Sequence, residues 1–274
     1  MTPERLLCEH PIASATRHGY RVVCGVCESF WDLDSLAAEP AYDADYPEKR
    51  GHFDPGVGAL KVRSLNHWVK VSGVQLAGAH VCEVGFGGGS CLPYLAERAR
   101  KLTGLEANQV TIDHARATGV KATLLDVRDL PKLDEPVDLW LFQDSFEHIP
   151  DPTLFTEWMV ANSSDRAEIL IVLPRGDSLS RRIMGRFWPH KLPDHQFHWS
   201  RAGLVEFMNR HGFAVERQFF PLKFASPQMV LAHFLHKLGA FAKVRAWMGS
   251  ARLAVPINFG ELGLRLQRRR ISPS

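Results

Sequence analysis

A chain of 274 residues that is 45% hydrophobic and 23% charged has the composition of a folded globular protein, with length for one large domain and a small appendage. Its net charge of +3 is too small to call for a polyanionic partner, which argues against nucleic acid, and no apolar run approaches the roughly 18 residues that would span a bilayer. The opening Met1-Thr2-Pro3-Glu4-Arg5 lacks the basic-then-apolar pattern of an export signal, so the cytoplasm is the default expectation, and five cysteines are an odd number for a disulfide framework.

The punctuation divides the chain into residues 1–50, a cap and linker, and residues 51–274, an α/β domain. In the cap, Cys8 and His10 are followed fourteen residues later by Cys24 and Cys27. These are four ligands of the type zinc prefers, the second pair in knuckle spacing and the first unusually tight. They fit a small zinc ribbon, or incidental thiols in an apolar cap. Residues 40–55 are rich in Pro, Asp and Tyr without an apolar period and read as a linker or a lid.

Beyond this, β-branched runs alternate with amphipathic stretches, the pattern of parallel strands joined by helical crossovers. Strands are predicted over 80–84, 101–105, 122–125, 137–142 and 168–173, with helices over 92–99, 109–118 and 154–162 between them. A helix over 201–211, stopped by Gly212, leads to a strand over 213–220, and residues 260–267 form a strand that closes the sheet. A helix over 228–248 carries Phe234, Leu235, Leu238 and Phe241. It fits either a cover over the site or the contact of a homodimer. The terminal Arg265, Arg268, Arg269 and Arg270 read as a solvated strand, with an RNA contact as the sharper alternative. Cys82 and Cys91 read as small packing residues.

The most informative segment runs from Val81 to Ser90, an apolar strand that ends in Glu83 and turns through Gly85, Gly87, Gly88 and Gly89. Glycines let the backbone turn tightly with a ligand against it. A dinucleotide site would show G-x-G-x-x-G, but the last position is Ser90, and Glu83 adds negative charge where a pyrophosphate would sit. A cationic ligand without phosphate fits better. Glu106 ends the next strand, where Rossmann-like folds place a carboxylate on ribose hydroxyls.

On these residues the sequence resembles the class I S-adenosylmethionine methyltransferases, of the small-molecule, ubiquinone-pathway-like type. Glu83, Gly85, Gly87 and Gly89 match the family's first motif, Glu106 its ribose acid, and Asp126 in Leu125-Asp126-Val127 its adenine-side acid. The stretch from Val137 through Gln143 to Pro152 is similar to the fourth strand and its loop, and His190 to Ser200 to a later segment. The resemblance implies a Rossmann-like, seven-stranded, mostly parallel sheet flanked by helices. It also implies S-adenosylmethionine bound by Glu83, Gly85, Gly87, Gly89, Glu106, Asp126, Val127 and Gln143.

Methyl transfer from a sulfonium needs alignment above all, and an oxygen or amine acceptor must also lose a proton. His148, His195 and His198 are the candidate bases; His148 reads also as a helix-start residue packed on the cofactor loop or a metal contact, and His195 and His198, beside Phe197 and Trp199, as structural hydrogen bonders. Asp144, Glu147 and His148 also fall where some ubiquinone-pathway relatives hold a divalent ion. The expected activity is methylation of a small molecule, on oxygen before carbon or nitrogen. An RNA methyltransferase and a non-catalytic cofactor-binding scaffold are the alternatives.

Overall fold

The computed structural model describes residues 8–18, 21–32, 46–49, 51–192, 195, 197–228, 230–231 and 254–269. The chain opens with three short antiparallel strands, β1 (Ala15–His18), β2 (Arg21–Cys24) and β3 (Phe30–Asp32). After a helical turn at Tyr46–Lys49, helix α1 spans Pro55–Ser72. Its ends are set locally: Asp54 accepts from the Gly56 and Val57 amides, Pro55 occupies the first turn, and Gly73 closes it at φ 77°.

The α/β domain then runs β4 (His80–Val84), α2 (Leu92–Ala96), β5 (Lys101–Glu106), α3 (Gln109–Ala117), β6 (Thr123–Asp126), β7 (Val137–Gln143), α4 (Pro152–Ala161) and β8 (Ser163–Pro174). There follow α5 (Leu179–Met184), β9 (Phe197–His198), α6 (Arg201–Arg210), β10 (Phe213–Phe219), β11 (Lys223–Ala225), β12 (Val255–Ile257) and β13 (Glu261–Arg268). The main sheet has the order β10-β13-β8-β7-β4-β5-β6. Its strands β8, β7, β4, β5 and β6 are parallel, while β13 runs antiparallel to both β8 and β10.

Strands covered on both faces need apolar residues at nearly every position, and all five residues of β4 are buried. The pleat sorts them. Val81, Leu139, Leu141, Leu170 and Val172 face α1, α2 and α3, against Leu65, Trp68, Leu92, Leu95 and Ile112. Cys82, Val84, Trp140, Phe142 and Ile171 face the opposite layer, with Phe155 and Met159 of α4 and Phe207 of α6. The order reverses between β4 and β7, and in such sheets a ligand site opens at the carboxyl ends of the strands at that reversal.

The seven-stranded architecture expected from the sequence is present, with strand ends within a few residues except for β8, which begins at Ser163. Helix α1 had no counterpart in the sequence reading, since Gly56, Gly58, Ser64 and Asn66 interrupt its apolar period, although Asp54-Pro55 is a readable start. The terminal arginines are a correction. Strand β13 lies inside the sheet, where Arg265 pairs with Glu168 and Arg268 donates to the Ser163 carbonyl at 2.8 Å, whereas Arg269, just past the strand, is exposed and donates to Asn209 at 2.8 Å. Arg270, and the predicted helix over 228–248 beyond Leu231, lie outside the described residues. No helix among the described residues is long and apolar enough to cross a membrane.

Trp140 is fully buried, donates to Ser163 Oγ at 2.9 Å and meets Trp158 edge-on. Trp140→Ala should therefore lower the unfolding free energy by about 3–5 kcal/mol in urea melts. The exposed Leu154→Ala should stay within about 0.5 kcal/mol of the parent.

Candidate functional site

At the reversal point, Glu83 at the end of β4 receives a hydrogen bond on Oε1 from Gln143 Nε2 at the end of β7, 2.6 Å away. Its Oε2 is buried and accepts no hydrogen bond among the described residues. Burial raises the carboxyl, against Gln143 and the nearby charge of Lys61, to about 8. The loop that follows must be glycine. Gly85 has φ 71°, and a Cβ there would stand 2.6 Å from Ser145 Cβ; one on Gly88 would stand 1.9 Å from the His52 carbonyl oxygen. The segment around His52, read as linker or lid, thus lies directly over the loop, and Phe53 packs on His114 of α3 at 4.1 Å.

Glu106 at the end of β5 shapes the same loop. Its Oε2 accepts from the Gly87 amide at 2.8 Å and its Oε1 from Ala107 and Asn108 at 2.8 and 3.2 Å. Burial raises its pKa and these three N–H groups lower it. Asp126 lies beside Glu106 across the β5–β6 pairing, capping the turn that begins at Val127. Arg128 clasps it, which lowers the Asp126 carboxyl. All the predicted cofactor residues therefore line one edge, the carboxyl ends of β4, β5, β6 and β7. A carboxylate with an unused buried oxygen is suited to an ammonium group, and adjacent carboxylates to hydroxyls and an amine.

The loop after β7 holds the second half of the site. Ser145 donates to the Val84 carbonyl at 2.6 Å, tying the loop to β4. The turn Phe146–His148 sets the His148 ring edge-on to His195 at 4.7 Å, and His198 lies 6.0 Å further on. Burial, with the neighbouring His148, holds the His195 pKa well below the usual histidine value. His198 stacks on Phe30 at 4.6 Å and packs on Trp188; burial, with Arg21 and Arg181 nearby, lowers it to about 3. Ligand atoms of Glu147, His148 and His195 lie within 4.8 Å of one another, a set able to hold a metal ion. Asp144, grouped with Glu147 and His148 on sequence grounds, instead binds Lys223 at 2.7 Å.

That lysine belongs to a half-buried network centred on Glu261, which no spacing in the sequence announces. Lys223 reaches Glu261 at 3.3 Å, and His190 Nε2 lies 2.8 Å from the same carboxylate. Burial would raise Glu261, but Lys223 and His190 override it and bring the carboxyl to about 2. Burial would lower Lys223, but Asp144 and Glu261 keep it above the usual lysine range. A groove of about 460 Å³, lined in part by Arg175, Ser178, Phe219 and Asn258, opens beside Glu261. Lys61, Lys223 and Glu261 carry no local signature; only their neighbours in space give them a role.

The amino-terminal ligands also converge. Ligand atoms of Cys8, His10, Cys24 and Cys27 fall within 4.8 Å of one another, all buried. His10 Nδ1 lies 3.4 Å from Cys8 Sγ, while its Nε2 faces Glu206 at 3.2 Å, so a carboxylate orients the ring. The hydrogen bond shared by Cys8 and Cys27 favours one thiolate between them, lowering the Cys27 thiol and raising that of Cys8. A buried, converging Cys3His set is a donor group that fits Zn²⁺.

The family described as the methyltransferase domain matches residues 63–218. No curated protein sequence matches the chain. Among solved structures, a chain from the Haloferax volcanii complex between the Trm112 methyltransferase activator and a methyltransferase superposes with a TM-score of 0.60 at 18% identity, over 85% of this chain and 100% of its own. A Bacillus halodurans protein described as a methyltransferase gives 0.56 at 13% identity, over 75% and 98%. Magnesium protoporphyrin IX methyltransferase from Synechocystis, with bound S-adenosylhomocysteine, gives 0.50 at 16% identity, over 77% and 84%. At these identities the likeness is one of fold.

Carbon-13 labelling of glutamate side chains should show one carboxyl, assigned by its loss in Glu83→Gln, that titrates near pH 8. Lys61→Met should move that titration upward, because it removes a cation that favours the charged form.

Proposed function

Because the chain belongs to the methyltransferase domain family and is an S-adenosylmethionine-dependent methyltransferase, we propose that it methylates an oxygen of a small-molecule acceptor held at the end of β7, against His148 and His195. The observation that carries this reading is the junction of two half-sites. The glycine loop with its acids and the histidine pair occupy adjacent strand ends, joined by the Glu83–Gln143 and Ser145–Val84 hydrogen bonds.

In this reading, the free oxygen of Glu83 takes the cofactor's ammonium group, and Glu106 and Asp126 take ribose and adenine. Glu106 retains lone pairs beyond its three backbone partners for that purpose. When bound, S-adenosylmethionine supplies a sulfonium methyl that is already activated. The protein's part is then to align the acceptor, keep water out and hold one proton. His148, at the rim beside the reaction edge, receives the acceptor's hydroxyl proton. His195, kept neutral by its burial, orients the His148 ring. His198, stacked on Phe30, serves as a strut. The segment around His52 closes over the cofactor.

Cys8, His10, Cys24 and Cys27 are assigned to a structural zinc ion, because four protein ligands leave no open position for chemistry. The RNA alternative rested on the terminal arginines, and two of them, Arg265 and Arg268, are half-buried and engaged by Glu168 and by the Ser163 carbonyl.

In calorimetry the protein should bind S-adenosylhomocysteine at micromolar concentration, and Glu106→Ala, which orphans three loop amides, should weaken binding at least tenfold. His148→Ala should keep that binding yet lower turnover on a panel of phenols and hydroxylated small molecules by about 10²–10⁴-fold. Methylation of short RNA, with none of the panel turned over, would replace the proposed acceptor class.

A further inference from the structure

We propose that the Cys8-His10-Cys24-Cys27 site, loaded with zinc, is the positioning device for the acceptor-side histidines: it fixes β3, and β3 fixes β9 and His195. The proposal rests on the zinc reading above and, for its consequence, on the methyltransferase reading. Strand β9 has two residues, Phe197 and His198, and a strand so short has little stability of its own. It is held as the fourth strand of the amino-terminal sheet, where Phe30 pairs with His198 and Trp31 with Phe197.

The ligand knuckle grips the same place through side chains. Ser29, two residues after Cys27, accepts from the Ser200 amide at 3.0 Å, and Ser200 Oγ donates to the Cys27 carbonyl. Ser200 is the residue that caps α6, accepting from Gly203 at 2.9 Å. A Cβ at Gly203 would lie 2.8 Å from Cys27 Sγ, so the absence of a side chain is what lets α6 press onto a ligand sulfur. One turn along the same helix face, Glu206 holds His10. Both ligand pairs therefore bear on α6 and on the strand entering it.

Metal binding couples to folding because the ligands have no reason to converge without it. With zinc in place, Cys24 and Cys27 lock the β2–β3 turn, Phe30 seats the His198 ring, and His195 is held over His148. Without it, β3 and β9 loosen together. Glu83, Glu106 and Asp126 are anchored on β4, β5 and β6, which the zinc module does not pair with, so cofactor binding should survive.

The test uses the full chain, purified from zinc-supplemented medium, with metal content by mass spectrometry, hydrogen exchange on peptic peptides and S-adenosylhomocysteine titration on each sample. One zinc per chain is expected. Chelation should speed exchange in peptides covering 21–32 and 195–203 at least tenfold, while the S-adenosylhomocysteine Kd changes less than threefold. Ser29→Ala, which leaves the ligands intact, should keep its zinc and speed exchange only around 197–203. A zinc-free protein overturns the proposal, and so does metal removal that leaves 195–203 protected. Exchange that rises uniformly across the main sheet with loss of S-adenosylhomocysteine binding also overturns it, since the ion would then support the whole fold. Failure of the zinc-loaded protein to bind S-adenosylhomocysteine would count against the methyltransferase reading instead.

Discussion

A carboxylate buried at the reversal point of a parallel sheet is costly, and the functional edge is arranged around Glu83. Removing the group from water raises its pKa to about 8 despite Gln143 and Lys61. The hydrogen bond from Gln143 brings the end of β7 to the end of β4, and Ser145 on the Val84 carbonyl draws the next residues inward. Ser145 in turn leaves no room for a side chain on Gly85. Gln143 on Glu83 and Ser145 on the Val84 carbonyl thus bring the loop that carries His148 to the end of β4, while Glu106 on the Gly87 amide holds the glycine loop beside it.

A second set of charges, half-buried around the buried Glu261, secures that loop from the far side. Asp144, at φ 51° in a region that L residues seldom adopt, is held by Lys223 from β11, and Lys223 is balanced by Glu261 at the start of β13. Strand β13 lies next to β8, so this network joins the end of the chain to the loop after β7. Buried ions stay charged only in such company, and the directions of the Lys223 and Glu261 shifts express that.

The amino-terminal module contributes through pairing across a long stretch of sequence. Phe30 meets His198 as a strand partner and as a stacked ring. The cap is therefore part of the framework around the histidines, and its ligand residues touch α6 as closely as they touch one another.

By itself the sequence determined the succession of strands along the chain and the line of Glu83, the glycines, Glu106 and Asp126 at their ends. Those features are local: a buried parallel strand must be apolar along its length, a tight loop needs residues that tolerate positive φ, and the acids sit at the strand ends that define them. The ligand quartet was legible as a set of residue types, but its convergence was not. Only the tertiary structure decided that Lys61 faces the two acids, that Lys223 takes Asp144 away from Glu147 and His148, that His195 meets His148, and that Arg265 and Arg268 are engaged by Glu168 and the Ser163 carbonyl. A charged or titratable side chain gains its role from partners brought close by folding, and no period or spacing along the chain specifies a contact between residues so far apart in it.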